Sequence, residues 1–246
     1  MGIDSIIETA ASQATDRLDL WSRIANGQKS QSIAEVGVYK GDFAAHILKH
    51  CPAVQQYYLI DPWRHLDDWN KPWNRANHEF SQIKEEALRK TEFAALKRVV
   101  LQGTTTEVSN QVPDRSVDLA YIDGDHTLRG ITIDLLKIAG KIRPGGLLAG
   151  DDFGVSAWQH GTTFEPTLVF PFAVYFAEAT GSVIYGLPFN QFAIVVNDAP
   201  TSAFEFRDLT GVRRPTTLLE TLKSPQRGLV RRALGKVRRL LAAGRS

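Results

Sequence analysis

The chain has 246 residues, enough for one good-sized domain with embellishments. Its 43% apolar and 23% charged residues are those of an ordinary soluble globular protein, and no run of about 18 apolar residues is present, which excludes a transmembrane helix. The formal net charge of +2 excludes a chain that is basic throughout, but it averages over two unlike parts: eight of the 29 basic residues lie in 223–246 without an acid, leaving 21 basic against 27 acidic residues elsewhere.

Residues 4–26 read as one helix with Ile6, Ile7, Leu18, Leu20, Trp21 and Ile24 as its apolar faces. SIAEVG (32–37) reads as a buried strand and GDFAAHILKH (41–50) as a helix that Pro52 stops. Cys51, the only cysteine, cannot form an internal disulfide and reads as a packing residue at that helix end. With an N-terminus that lacks a basic-then-apolar signal profile, it points to a cytoplasmic location. QYYLIDP (56–62) is a second strand. The next stretch, WRHLDDWNKPWNRANHEF (63–80), sets three Trp among charges, which is poor core material and reads as a lid over a site. A helix over 81–96 and strands RVVLQG (98–103) and VDLAYID (117–123) follow, then a helix over 128–142, the turn RPGG, and the strand LLAGDD (147–152). Residues 170–179 read as helix, and SVIYG (182–186) with FAIVV (192–196) as a closing antiparallel hairpin. Apolar strands alternating with helices predict a doubly wound, Rossmann-like α/β fold whose sheet has seven mostly parallel strands. The predicted layout is a helical extension (1–30), one catalytic domain (31–200, with 63–80 as lid) and a C-terminal extension (201–246).

Two strand ends carry the most chemistry. Asp123 closes one apolar run, and Asp151 and Asp152 close another. Parallel neighbours deliver their C-terminal ends to one edge, where ligands of open α/β sheets bind. Three acids there repel unless a cation or a shared proton lies between them, and such oxygen ligands suit Mg2+ or Ca2+ rather than zinc. The plainer reading of Asp151–Asp152 is helix capping after a strand. In EVGVYKG (35–41), Gly37 and Gly41 let the backbone turn tightly and approach a ligand, although glycines at such turns also serve the turn alone. The spacing differs from the G-x-G-x-x-G of dinucleotide binders. Asp61 ends the second strand 20 residues after Gly41, where an acid can accept both ribose hydroxyls; alone it could equally be a turn former before Pro62. Together the turn and the acid favour an adenosine-like ligand.

The motifs EVGVYKG, LID (59–61), QGTT (102–105), YIDGDH (121–126) and RPGGLLAGDD (143–152), in this order, resemble class I S-adenosylmethionine-dependent methyltransferases over residues 30–197. The closest resemblance is to the divalent-metal-dependent O-methyltransferase branch, with its catechol-type and macrocin-type sugar enzymes. The resemblance implies that Glu35 accepts hydrogen bonds near the methionine part of S-adenosylmethionine, with Gly37, Tyr39, Gly41 and Phe43 shaping that pocket. It implies that Asp61 holds the ribose and that Gly103, Thr104 and Thr105 border the adenine. Asp123, Asp151 and Asp152 match the positions that hold Mg2+ or another divalent cation, Asp123 also bordering the cofactor; the last is often Asn in catechol-type enzymes. That branch often carries a lysine base where this chain has His126, whose ordinary pKa near 6.5 suits a general base at neutral pH. The competing reading makes His126 a structural residue at a helix N-terminus. Asp125 reads as its orienter or as a helix cap, the latter preferred.

Trp63, beside Asp61, is the lid tryptophan expected to touch the cofactor, ahead of Trp69 and Trp73. Flat aromatic faces with Asp67, Asp68, Asn70 and Asn74 suit a sugar ring. Trp158, His160 and Phe164 are further candidates for the same cavity. In the tail, Val230, Leu234, Val237 and Leu241 share one helix face ringed by arginines and lysines, suited to an anionic membrane surface, an acidic partner or a subunit of a homo-oligomer; a solvated, frayed terminus is the plain alternative. No aromatic residue is interleaved with that charge, so nucleic acid is not expected. The sequence therefore predicts a metal-dependent O-methyltransferase for a small-molecule hydroxyl, a sugar or glycoside ahead of a catechol-like diol. An NAD-dependent oxidoreductase and a catalytically silent cofactor-binding subunit are the alternatives from other classes.

Overall fold

The computed structural model describes residues 2–198 and 204–214; the basic tail, with the membrane or subunit contacts expected of it, lies outside them. The chain begins with two helices, α1 (Ile3–Gln13) and α2 (Arg17–Gln28), where the sequence suggested one. The break has a local cause. Asp16 is extended, and its side chain accepts from the Asp19 N–H at 2.8 Å, capping a new helix.

Five strands follow with their crossovers: β1 (Ser32–Val36), α3 (Asp42–His50), β2 (Gln56–Asp61), α4 (Asn77–Lys90), β3 (Arg98–Gln102), the short α5 (Thr105–Val108), β4 (Val117–Ile122), α6 (Leu128–Ala139) and β5 (Ile142–Gly150). Then come α7 (Val169–Thr180) and the strands β6 (Val183–Leu187), β7 (Gln191–Val195) and β8 (Glu205–Asp208). The sheet order is β3-β2-β1-β4-β5-β7-β6-β8. β7 runs antiparallel to β5 and β6, as the hairpin reading required, and β8 adds an eighth strand parallel to β6. Four residues with half-exposed side chains gave β8 no apolar signature to read.

Every residue of β4 is buried, because helices cover both faces of the sheet. Alternate residues divide between two layers. Leu119, Tyr121 and Leu147 pack with Trp21, Phe43 and Ile47 of α2 and α3, whereas Ala120, Ile122 and Leu148 pack with Ile131, Leu135 and Phe170 of α6 and α7. The N-terminal helices are thus part of the main core. Phe43 stacks on Tyr121 with ring centroids 4.0 Å apart, and Trp21 meets the same tyrosine edge-on.

The strand order reverses between β1 and β4, which opens a crevice at their C-terminal ends. Backbone hydrogen bonds run one residue past the strands there. The Asp123 N–H donates to the Val36 carbonyl at 2.7 Å, and the Asp151 N–H to the Ile122 carbonyl at 3.0 Å. The sheet itself therefore fixes where these carboxylates stand. Gly37 makes the crossing possible. Its φ is +87°, and a Cβ there would sit 2.1 Å from the Asp123 carbonyl oxygen. Gly37→Ala combines a left-handed backbone penalty with an overpacked contact, and is expected to destabilise the fold by about 2–5 kcal/mol in urea unfolding. An unchanged midpoint would contradict this close approach.

Candidate active site at the carboxylate edge

One cleft of about 510 Å³ occupies the crevice, within the usual size of small-molecule sites. Of the residues singled out from sequence, Glu35, Gly37, Tyr39, Phe43, Asp61, Gly103, Thr104, Thr105, Asp123, His126, Asp151 and Asp152 line it. Gly41 and Trp63 do not. Gly41 (φ +73°) lies against α4, where a Cβ would come within 2.9 Å of the Ala87 Cα. Trp63 is buried behind the cleft and donates its indole N–H to the Tyr39 carbonyl at 2.9 Å. The lid tryptophans on the cleft are Trp69 and Trp73. His160 also lines the cleft, whereas Trp158 and Phe164 do not.

Asp61 is 7% exposed and held by the backbone, its Oδ2 accepting from the Tyr39 N–H at 2.8 Å and its Oδ1 from the Trp63 N–H at 2.7 Å. Burial pushes its pKa up to about 6, against the opposing pull of those N–H groups. Both Tyr39 and Trp63 adopt positive φ (48° and 40°), backbone strain spent on aiming two N–H groups at one carboxylate. Glu35 is deeper. It accepts from the Tyr57 hydroxyl at 2.7 Å, and burial raises its pKa well above the carboxylate range. Thr105 donates to Asp134 of α6 at 2.6 Å, and burial likewise pushes Asp134 up to about 7. Asp134 escaped the sequence reading because it sits within an ordinary amphipathic helix.

At the other end of the cleft, Asp152 has φ +57°. Its Oδ2 lies 2.5 Å from His126 Nδ1. The His126 Nε2 is buried, makes no hydrogen bond among the described residues, and lies 3.5 Å from Asp123 Oδ1. Burial alone would lower the imidazole pKa, but the Asp152 hydrogen bond and the charges of Asp152, Asp123 and Asp151 outweigh it and hold the group up at about 9. This corrects the assumption of an unperturbed histidine: the pair with Asp152 favours the imidazolium. Burial and the Asp151 charge push Asp123 up to about 7, against His126 and Arg17. Asp125 accepts from the Thr127 N–H at 2.9 Å, next to the N-cap of α6, the structural role expected for it.

Two contributors came from far along the chain. Arg17 of α2 places Nη1 at 3.1 Å from Asp123 Oδ2 and in contact with Asp151 Oδ2. Gln191 of β7, fully buried, accepts from the Trp21 indole N–H and the Tyr121 hydroxyl, both at 2.8 Å, and donates to Asp151 Oδ1 at 2.6 Å. A lone glutamine opening an apolar strand was the available signal for it; nothing local marked Arg17. Lys71, from the lid, lines the cleft and donates to the Glu165 carbonyl at 2.8 Å, its pKa lowered by burial.

A divalent ion between the three aspartates fits this arrangement poorly. Asp151 Oδ1 already accepts from Gln191 and from the Asp152 N–H, its Oδ2 faces Arg17, and Asp152 is turned to His126. Among the described residues, no group of three or more His, Cys, Asp or Glu is arranged to hold a metal ion. The carboxylates converge as expected, but on protein cations.

A sequence model of a methyltransferase domain matches residues 34–153. No curated protein matches the chain in sequence. Among solved structures, the fold is similar to that of a provisionally described caffeoyl-CoA O-methyltransferase from Staphylococcus aureus (TM-score 0.54, 15% identity, 79% of this chain and 92% of that one). It is similar, too, to TomG from Streptomyces achromogenes, an O-methyltransferase of tomaymycin synthesis solved with S-adenosylmethionine (TM-score 0.50, 14% identity, 79% and 90%). At such identities the likeness is one of fold. No helix among the described residues is long and apolar enough to cross a membrane. Residues 34–153 therefore carry a methyltransferase domain, set in the strand order and C-terminal antiparallel strands of Rossmann-like methyltransferases.

Proposed function

We propose that the chain transfers a methyl group to a hydroxyl of a small molecule, with a sugar or glycoside as the acceptor class, in a cytoplasmic setting that suits its single buried thiol. The observation that carries this reading is the pairing, in one cleft, of a backbone-held Asp61 with the His126–Asp152 dyad. S-adenosylmethionine, when bound, supplies an activated methyl on a sulfonium, so the protein's task is alignment and proton removal. Each Asp61 oxygen uses one lone pair on a backbone N–H and keeps another for a ribose hydroxyl. Gly37 leaves the cleft floor open for close approach.

Proton removal falls to His126. Asp152 holds Nδ1–H, so in the neutral form of His126, the minor form below its pKa of about 9, Nε2 is the atom able to accept a proton from the acceptor hydroxyl, and turnover should rise as pH climbs toward that value. The surrounding carboxylates stabilise the imidazolium that results. Trp69, Trp73 and Tyr39 offer aromatic faces, with Tyr39 and Trp73 meeting edge-on at 6.0 Å, and Arg64, Lys71 and His160 offer polar partners. Flat faces rimmed by hydrogen-bonding groups support the sugar reading. No step is routed through a divalent ion, because Arg17, His126 and Gln191 already hold the oxygens it would need.

The direct test is calorimetry with S-adenosylhomocysteine and with NAD, followed by labelled-methyl transfer onto a panel of glycosides and catechols. Binding of NAD in place of S-adenosylhomocysteine would overturn the assignment. Asp61→Ala removes charge-assisted hydrogen bonds worth about 3 kcal/mol together, so the affinity for S-adenosylhomocysteine should fall roughly 100-fold. The ligand binds the ionised carboxylate, whose pKa in the free protein is about 6. Affinity should therefore be level above that pH and fall as pH drops below it; a flat profile from pH 5 to 8 would contradict the role. His126→Ala should lower kcat by about 10²–10⁴-fold while leaving S-adenosylhomocysteine affinity nearly unchanged. Turnover within a factor of two of the parent would remove His126 from the proton path.

A further inference from the structure

Three carboxylates at one sheet edge demand positive charge, and here the chain supplies it from its own N-terminal helices. Arg17 stands at the first turn of α2, outside the residues 34–153 that match the methyltransferase domain. Its guanidinium bridges Asp123 and Asp151, the carboxylates that follow β4 and β5. One nitrogen, Nη1, with its two N–H donors, meets one oxygen of each carboxylate. The position is firmly built. Asp16 caps the helix that carries Arg17, and Trp21, one turn further on, is fully buried and tied by its indole N–H to Gln191, which in turn donates to Asp151. One network therefore fixes both the arginine's helix and the carboxylate that the arginine meets.

We propose that Arg17 takes the electrostatic place of a divalent cation between Asp123 and Asp151, so that this methyltransferase works with a built-in guanidinium and has no need of a metal. The inference rests on the methyltransferase reading above, but concerns a different property of the site. Three carboxylates face two protein cations, Arg17 and His126, so most of the negative charge that would attract an ion is already compensated. An incoming Mg2+ would require near-octahedral oxygens and would have to expel the guanidinium from both aspartates, break the Asp152–His126 contact, or both. Removing one partner of such a cluster leaves uncompensated charge, and that charge is what a metal would answer.

The test needs no acceptor. Mn2+ is titrated into the full chain, with and without S-adenosylhomocysteine, and free Mn2+ is followed by electron paramagnetic resonance. The parent protein should show no stoichiometric uptake at micromolar Mn2+. Arg17→Ala should gain one Mn2+ per chain, with affinity raised by roughly 100-fold or more, and the added change Asp151→Asn should abolish the gain. Circular dichroism establishes that each variant is folded, and Arg17→Lys, which keeps the charge, should stay closer to the parent. Uptake of one Mn2+ per parent chain at micromolar concentration, lost in Asp151→Asn, would overturn the proposal. So would a folded Arg17→Ala that takes up none. Neither result depends on whether S-adenosylhomocysteine binds, so failure here is separable from failure of the methyltransferase assignment.

Discussion

Like charges gathered at the mouth of a parallel sheet repel, and the rest of this site is arranged around that repulsion. The ladder bonds that continue past β4 and β5 leave Asp123 and Asp151 no freedom to move apart, because their own backbone N–H groups are held by Val36 and Ile122. Compensation has to come to them. It arrives from α2 as Arg17, from the loop after β4 as His126, and as hydrogen bonding from Gln191 of β7. Four separate segments therefore converge on one small cluster, and α2, which seemed peripheral, becomes part of the functional edge.

The same reasoning accounts for three of the seven non-glycine residues with positive φ among the described residues. Tyr39, Trp63 and Asp152 all carry positive φ, and all three serve the cleft. Tyr39 and Trp63 aim N–H groups at Asp61, and Asp152 turns its carboxylate onto His126. Strain of this kind persists only where packing over-determines it. Here the stacked Phe43–Tyr121 pair and the buried Trp63 supply that packing.

Local pattern made most of the parallel sheet legible from the sequence. Apolar runs of five or six residues closing on Asp61, Asp123 and Asp151 announced both the strands and the edge, because one short run suffices to encode a buried strand and its end. The strand β8 and the burial of Trp63 were not legible, since each depends on what the neighbouring elements leave room for; the break at Asp16 has a local signal, its cap on the Asp19 N–H, which apolar periodicity alone passes over. Arg17 is the clearest case. It meets Asp123 across 106 positions of sequence, and no local pattern encodes a partner at that distance. The expectation of a metal followed from reading the three acids without their cations. The repulsion among these acids is real, and a guanidinium brought by α2 answers it as a bound ion or a shared proton would.

The most direct test of the account is a crystal structure with S-adenosylhomocysteine after soaking in Mn2+, with anomalous scattering recorded at the manganese edge. The account predicts ribose hydroxyls on Asp61, the Arg17 guanidinium between Asp123 and Asp151, and no anomalous peak there. A manganese peak on those two carboxylates, with Arg17 swung out of the cleft, would contradict it.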